Sequence, residues 1–127
     1  MNPINHFEIP FDNSERAIKF YKEVFGWEII PMPDMNYTIV HTTPTNENQM
    51  PKEAGTINGG MYNRSDGGSR SPVLVITVPN LDKHIKKIQA HGGKITMEKR
   101  QVGKMGLYAQ IKDTEGNIIG IWEALKK

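Results

Sequence analysis

The chain has 127 residues, and its 16 Lys and Arg residues against 14 Asp and Glu residues leave a net charge of only +2. This near-balance, without a long run of like charge, argues against a nucleic-acid partner. The chain has no Cys, which excludes disulfides, thiolate metal ligands and a Cys nucleophile and fits a reducing, cytoplasmic location. No apolar stretch approaches the roughly 18 residues of a membrane span, and the N-terminus does not resemble a secretory signal, so we expect no membrane partner.

The chain opens with a predicted strand at residues 4–9. Apolar and polar residues alternate there, so that Phe7 and Ile9 face one side and His6 and Glu8 face the other. The strand therefore has one side suited to a core and one side that carries two titratable groups.

A helix and three further strands follow in the first half. The helix has Asn13 or Ser14 as its N-cap, and Gly26 stops it after about Phe25. Its apolar residues have helical spacing, which predicts one buried face. The further strands are predicted at residues 27–30, 37–41 and 57–63, with a polar loop at 42–56.

The second half repeats this order of elements after a linker at residues 64–71. Its helix begins at the N-cap Asn80 and ends near His91. Its strands are predicted at residues 72–78, 94–98, 107–112 and 118–123. The last two strands are joined by a hairpin turn at residues 113–117.

The two halves also match residue by residue at one constant shift. The five identities in this register are Ile9 with Ile76, Asn13 with Asn80, Ile18 with Ile85, Lys19 with Lys86, and Gly26 with Gly93. We therefore interpret residues 1–127 as a single α+β domain built from two βαβββ modules, residues 1–63 and 72–127. Neither small sheet can bury its apolar surface alone, so the modules should pair.

Two segments resemble the vicinal oxygen chelate superfamily, which includes glyoxalase I, the extradiol dioxygenases and the bleomycin- and fosfomycin-resistance proteins. The segment HFEIPFDNSERAIKFYKEVFGWEI is similar to the opening strand, helix and FYxxxFGW turn of that superfamily. The segment KDTEGNIIGIWE is similar to its DPEGN hairpin and final strand. The resemblance implies that each module curls its sheet into a half-barrel and that the resulting cup binds the ligand.

The resemblance also implies where metal-dependent members hold their ion, on the first and last strands of each module. The corresponding residues here are His6, Val73, Gly120 and either Gly59 or Gly60. Only one of these positions keeps a ligand, so we expect no cofactor and no metal site of the usual kind. A divalent metal held by substitute ligands is the open alternative, with His41, Glu47 and Glu53 as candidates.

Four residues of the first module are candidate ligand-binding residues. His6 is the candidate for acid–base chemistry or hydrogen bonding, since its ordinary pKa lies near neutrality. Glu8 shares its face and either pairs with His6 or is solvated at the rim. Tyr37 and His41 share one face of their strand, and alternation leaves open whether this face meets the cup.

Three residues of the second module are candidates as well. Tyr108 and Gln110 lie opposite the apolar residues of their strand, and Trp122 has the parity of Gly120, so all three should face the cup. Tyr108 and Trp122 there would stack on a planar ligand, or would only plug the barrel or a dimer seam.

The resemblance, read with these residues, thus implies a small-molecule-binding protein with a small organic ligand as its partner, and it implies a homodimer as the assembly. One alternative is an enzyme of the same fold, a lyase, isomerase or dioxygenase, that uses substitute metal ligands or His6 as acid and base. The other alternative is an interaction or regulatory protein whose cup is filled by its own side chains.

Overall fold

The computed structural model describes residues 1–125. The βαβββ order occurs twice, as predicted, and the α+β fold class is confirmed. The elements are β1 (Ile4–Phe11), α1 (Ser14–Phe25), β2 (Glu28–Met32), β3 (Tyr37–His41), β4 (Asn58–Asn63), β5 (Val73–Thr77), α2 (Leu81–Ala90), β6 (Lys94–Val102), β7 (Gly106–Lys112) and β8 (Ile118–Ala124). Within the described residues, neither helix is long and apolar enough to cross a membrane.

The chain forms two compact units. The first unit is His6–Pro72, and the second combines Met1–Asn5 with the described residues from Val73 to Leu125. Within the first unit the strands pair in the order β2-β3-β4-β1, and within the second in the order β5-β8-β7-β6. In each unit the first strand runs parallel to the last one, and the other pairs are antiparallel. The two units therefore repeat one topology.

In the first unit, helix α1 covers the face of the sheet that carries Phe7 and Ile9. These two side chains pack with the fully buried Val40 and Met61, and Tyr21 of α1 packs against the same cluster. The alternation predicted for β1 is thereby confirmed, because His6 and Glu8 point to the face away from the helix.

In the second unit, helix α2 covers the equivalent face. Leu81, Ala109, Ile111 and Ile121 form its buried cluster. The carboxylate of Glu123 accepts a hydrogen bond of 2.6 Å from the backbone N–H of Leu81, so β8 also anchors the N-terminus of α2.

The predicted N-caps are confirmed in both units. Asn13 accepts from the N–H of Arg16, and Asn80 accepts from the N–H of Lys83. The helix ends differ, however. Gly26 has a φ of +71° at the C-cap of α1, whereas Gly92 and not Gly93 has positive φ after α2. Gly93 is required for another reason, because a Cβ there would overlap with Ile88.

Three strands extend well beyond their predicted ends. Strand β1 does not end at residue 9 but continues through Pro10 to Phe11. Strand β2 continues through Pro31. The proline is tolerated because β2 is an edge strand, where a missing backbone N–H does not deprive a neighbouring strand of a hydrogen bond. Strand β6 continues to Val102 rather than ending near Glu98, with irregular pairing on both sides of Met97.

Candidate functional site

Three polar side chains form a hydrogen-bonded chain on the face of the first unit that points away from α1. Tyr37 donates its hydroxyl proton to Oε2 of Glu8 over 3.0 Å, and Nε2 of His6 lies 3.1 Å from the same hydroxyl oxygen. Glu8 is only 7% exposed. We call these three residues the polar chain; it shows that Tyr37 faces the same side as His6 and Glu8, which alternation alone left open.

Strand pairing explains why Tyr37 reaches both partners. Glu8 lies opposite Gly60 in the parallel β1–β4 pair, and Ile39 lies opposite Gly60 in the antiparallel β3–β4 pair. Tyr37, two residues before Ile39, extends its ring across Gly60, where a Cβ would overlap with the hydroxyl and ring atoms of Tyr37. The missing side chain of Gly60 therefore provides the space through which Tyr37 reaches β1.

The charge state of His6 follows from its environment. Burial lowers the pKa of His6 from 6.5 to about 4, because the imidazolium loses hydration that the surroundings do not replace. His6 is thus neutral near pH 7. Because the Tyr37 hydroxyl donates its hydrogen bond to Glu8, it can only accept one from His6. We therefore assign the proton of His6 to Nε2, and the lone pair of Nδ1 is then an acceptor.

The second unit carries a related pair on the face away from α2. Nε2 of Gln110 donates to the hydroxyl of Tyr108 over 2.9 Å, and both side chains are buried, at 2% and 5% exposure. Tyr108 packs with Val73 and Val75, and Trp122 packs against this cluster. The predicted division of β7 into an apolar helix face and an opposite face with Tyr108 and Gln110 is confirmed.

The two units place their tyrosines by the same register. In the second unit Val75 lies opposite Gly120 on one side and Gln110 lies opposite it on the other. Tyr108 precedes Gln110 by two residues, as Tyr37 precedes Ile39. A Cβ at Gly120 would lie 2.7 Å from the Tyr108 hydroxyl. Each unit therefore has a tyrosine laid over a glycine of its last strand.

The other candidate residues are placed separately. Nδ1 of His41 lies 3.0 Å from Oε1 of Glu28 on the neighbouring strand, so the structure gives His41 a different partner from the polar chain. Trp122 is partly buried beside the cluster around Tyr108. The ligand-binding roles of all seven candidates stay predictions.

The residues present do not fit a metal centre of the kind that the resemblance implies. Val73 is 1% exposed in an apolar cluster, and Gly60 and Gly120 lie under tyrosine rings. Among residues 1–125 no three His, Cys, Asp or Glu side chains are grouped so that they could hold a metal ion. His6 is therefore a lone ligand at these four positions.

One polar residue of the first unit, Asn58, was not among the predicted site residues. Asn58 lies opposite His6 in the β1–β4 register, and its Oδ1 accepts from the N–H groups of Thr42 and Thr43. Its buried Nδ2 has no partner within the described part of the chain. The signal was available, because Asn58 has the same strand parity as Gly60.

A surface depression of about 380 Å³ lies at the start of α1. Its lining includes Phe11, Phe20 and Tyr21 together with Arg16 and Arg64, and it contains none of the seven candidates. It is therefore a separate feature from the polar chain.

Comparisons with known proteins agree with this fold. Residues 4–43 match the family model described as bleomycin resistance protein-like N-terminal. A probable chloroplastic lactoylglutathione lyase from Arabidopsis thaliana is 33% identical over 87 residues, which cover 66% of this chain and 25% of the relative. The match thus spans only a quarter of that relative's length.

Solved structures extend the likeness to nearly the whole chain. Methylmalonyl-CoA epimerase from Mycobacterium tuberculosis is similar with a TM-score of 0.62 at 18% identity, over 97% of this chain and 88% of that one. A glyoxalase/bleomycin resistance protein/dioxygenase superfamily member from Vibrio splendidus 12B01 gives 0.62 at 9% identity, over 97% and 99%. The fold is thus that of the glyoxalase and bleomycin-resistance proteins. This is the fold that the resemblance to the vicinal oxygen chelate superfamily implied.

Proposed function

We propose that this protein binds a small organic molecule without the usual metal site, and that the polar chain of His6, Tyr37 and Glu8 contacts the ligand. The observation that carries the proposal is that this hydrogen-bonded chain, with Glu8 buried and His6 and Tyr37 partly buried, lies on the face away from α1. Titratable side chains are costly to bury, and a joined set of them is more typical of a recognition site than of a core.

The polar chain favours one chemical class of ligand. Nδ1 of neutral His6 offers a lone pair, and Glu8 places a carboxylate on the same face. Both groups attract hydrogen-bond donors, and the carboxylate repels anions. We therefore propose a ligand that is neutral or cationic and carries an N–H or O–H donor.

The second unit supports a narrower role for its candidates. Tyr108 and Gln110 bond to each other and are almost fully buried with Val73 and Val75. This packing supports a structural role for the two side chains within the second unit, and not the role of the main polar contact to a ligand. It is also the observation that favours the interaction protein with a filled cup, which the binding test addresses.

The first experiment is native mass spectrometry of protein purified from its own cells. We expect a retained small molecule, and the same spectra report whether two chains associate, as the resemblance leads us to expect. A second experiment measures binding of three probes of similar size by calorimetry: benzamidine, benzamide and benzoate. We expect benzoate to bind at least ten-fold more weakly than the other two.

A matched pair of variants assigns the binding to the polar chain. Glu8→Gln removes the buried carboxylate, and it should abolish the preference for benzamidine over benzoate. Glu28→Gln removes an exposed carboxylate that pairs with His41, and it should leave the preference unchanged. Failure of all three probes to bind, together with no retained molecule, would refute the binding proposal and favour the interaction protein.

A second candidate function is a metal-independent enzyme with His6 as its base. The observation in its favour is that Tyr37 and Glu8 orient His6 as a third group orients a catalytic base. The names of the similar proteins, a lyase and an epimerase, fit proton transfer at carbon. A ligand found by mass spectrometry would then exchange a carbon-bound hydrogen in D₂O with native protein. His6→Gln should stop this exchange, and its persistence would exclude His6 as the base.

A further inference from the structure

We infer that Tyr37 and Tyr108 are blocking residues, one in each unit, which close the last-strand positions 60 and 120 to a metal-ligating side chain. The two tyrosines would exclude a metal-ligating side chain from these positions whether or not a small molecule binds there. It makes the two tyrosines specificity-determining residues.

The first unit shows what Tyr37 excludes. A side chain at position 60 would lie beside Glu8, its partner in register, and on the same face as His6 two residues earlier. Adjacent strands lie about 4.8 Å apart, so a carboxylate at position 60 would complete a group of one imidazole and two carboxylates. Such a group suits a divalent ion such as Zn²⁺. The ring of Tyr37 fills this space instead.

Tyr37 is held in place and cannot move aside freely. Its hydroxyl bonds to both His6 and Glu8, so moving the ring would break two partly buried hydrogen bonds. The backbone at Gly60 and Gly120 does not have the positive φ found at seven other glycines of the described chain. The cost of adding a Cβ at Gly60 therefore comes from Tyr37 and not from backbone strain. At Gly120 it comes mainly from Tyr108, with Cγ2 of Val75 also 3.0 Å away.

The repetition argues that the blocking is a property of the module. In both units the tyrosine lies two residues before the residue that pairs with the glycine on the neighbouring strand. Both tyrosine hydroxyls are also hydrogen-bonded within their own unit. The contact is closer over Gly60 than over Gly120, where the nearest tyrosine atom would be 2.7 Å from a Cβ.

The decisive experiment combines a new carboxylate with removal of the ring. Zn²⁺ binding is measured by equilibrium dialysis for the variants Gly60→Glu, Tyr37→Ala/Gly60→Glu and Tyr37→Phe/Gly60→Glu. We expect Tyr37→Ala/Gly60→Glu to bind about one ion per chain at least ten-fold more tightly than the other two. Tyr37→Phe keeps the ring and loses only the hydroxyl, so it is the matched control for blocking by volume. Tyr37→Ala alone reports what His6 and Glu8 bind without a third ligand.

The same variants contain the outcomes that overturn the inference. Tight binding by Gly60→Glu alone would show that Tyr37 blocks nothing. Equally weak binding by a folded Tyr37→Ala/Gly60→Glu variant would show that the tyrosine is not what excludes the ion.

A smaller substitution covers the case in which the glutamate variants do not fold. Gly60→Ala should lower the folding equilibrium constant at least ten-fold when Tyr37 is present and by less than three-fold in the Tyr37→Ala background. Gly120→Ala should show the same dependence on Tyr108 with a smaller effect, since its contact is longer. Equal effects of Gly60→Ala in both backgrounds would overturn the inference.

Discussion

The buried imidazole of His6 makes the free energy of unfolding depend on pH. Its pKa is about 4 in the folded protein and 6.5 in the unfolded chain, so between these values the unfolded chain binds more protons. Stability is therefore complete above about pH 6.5 and falls as the pH drops toward about 4. Integrating over this window, the loss between about pH 7.5 and about pH 5 amounts to about 2 kcal/mol.

The measurement is urea unfolding at several pH values for the native chain and for His6→Gln. The other titrating groups contribute equally to both proteins, so the difference between the two curves isolates His6. We expect this difference to change by about 2 kcal/mol over the stated range. His91→Gln, at an exposed position after α2, is the matched control for loss of an imidazole. Parallel curves for the native chain and His6→Gln would refute the assignment of a buried, neutral His6.

The remaining predictions concern stability and are checked by the same urea unfolding. Asn13→Ala and Asn80→Ala should each cost about 1 kcal/mol through loss of a helix cap; no change in either would contradict the capping geometry. Leu81→Ala should cost about 2–5 kcal/mol because Leu81 is fully buried. Tyr108→Phe should lower the free energy of unfolding more than Gln110→Met does, because Tyr108→Phe removes the hydroxyl to which the buried amide of Gln110 donates. Adding Gln110→Met to Tyr108→Phe should then recover part of the lost stability. An additive double variant would show that the two side chains are not coupled.

Most of the fold was predictable from local signals. The caps Asn13 and Asn80 and the alternation in β1 are short-range patterns, and each of them fixed an element that the structure contains. The course of β2 through Pro31 was not predictable in this way, because a proline is tolerated or excluded according to whether the strand lies at an edge. The strand order is a property of pairing and not of local sequence.

The candidate site was predictable only in part. Alternation placed His6 with Glu8 and Tyr108 with Gln110, and both pairs share a face in the structure. The bridging role of Tyr37 was out of reach, since it depends on register across two strand pairs and on the space above a glycine. The low pKa of His6 was out of reach as well, because it follows from burial that no local pattern reports.

The second unit is discontinuous in sequence. Its N-terminal piece, Met1–Asn5, bonds to the distant β5: the carbonyl of Pro3 accepts from the N–H of Thr77, and Asn5 accepts from the hydroxyl of the same residue. During synthesis these first residues leave the ribosome long before β5 exists. The segment of β1 from His6 onward has its partners available earlier, so the strand matures in two stages. Residues Met1–Asn5 stay exposed until the second half of the chain, which contains their partner Thr77, has been translated.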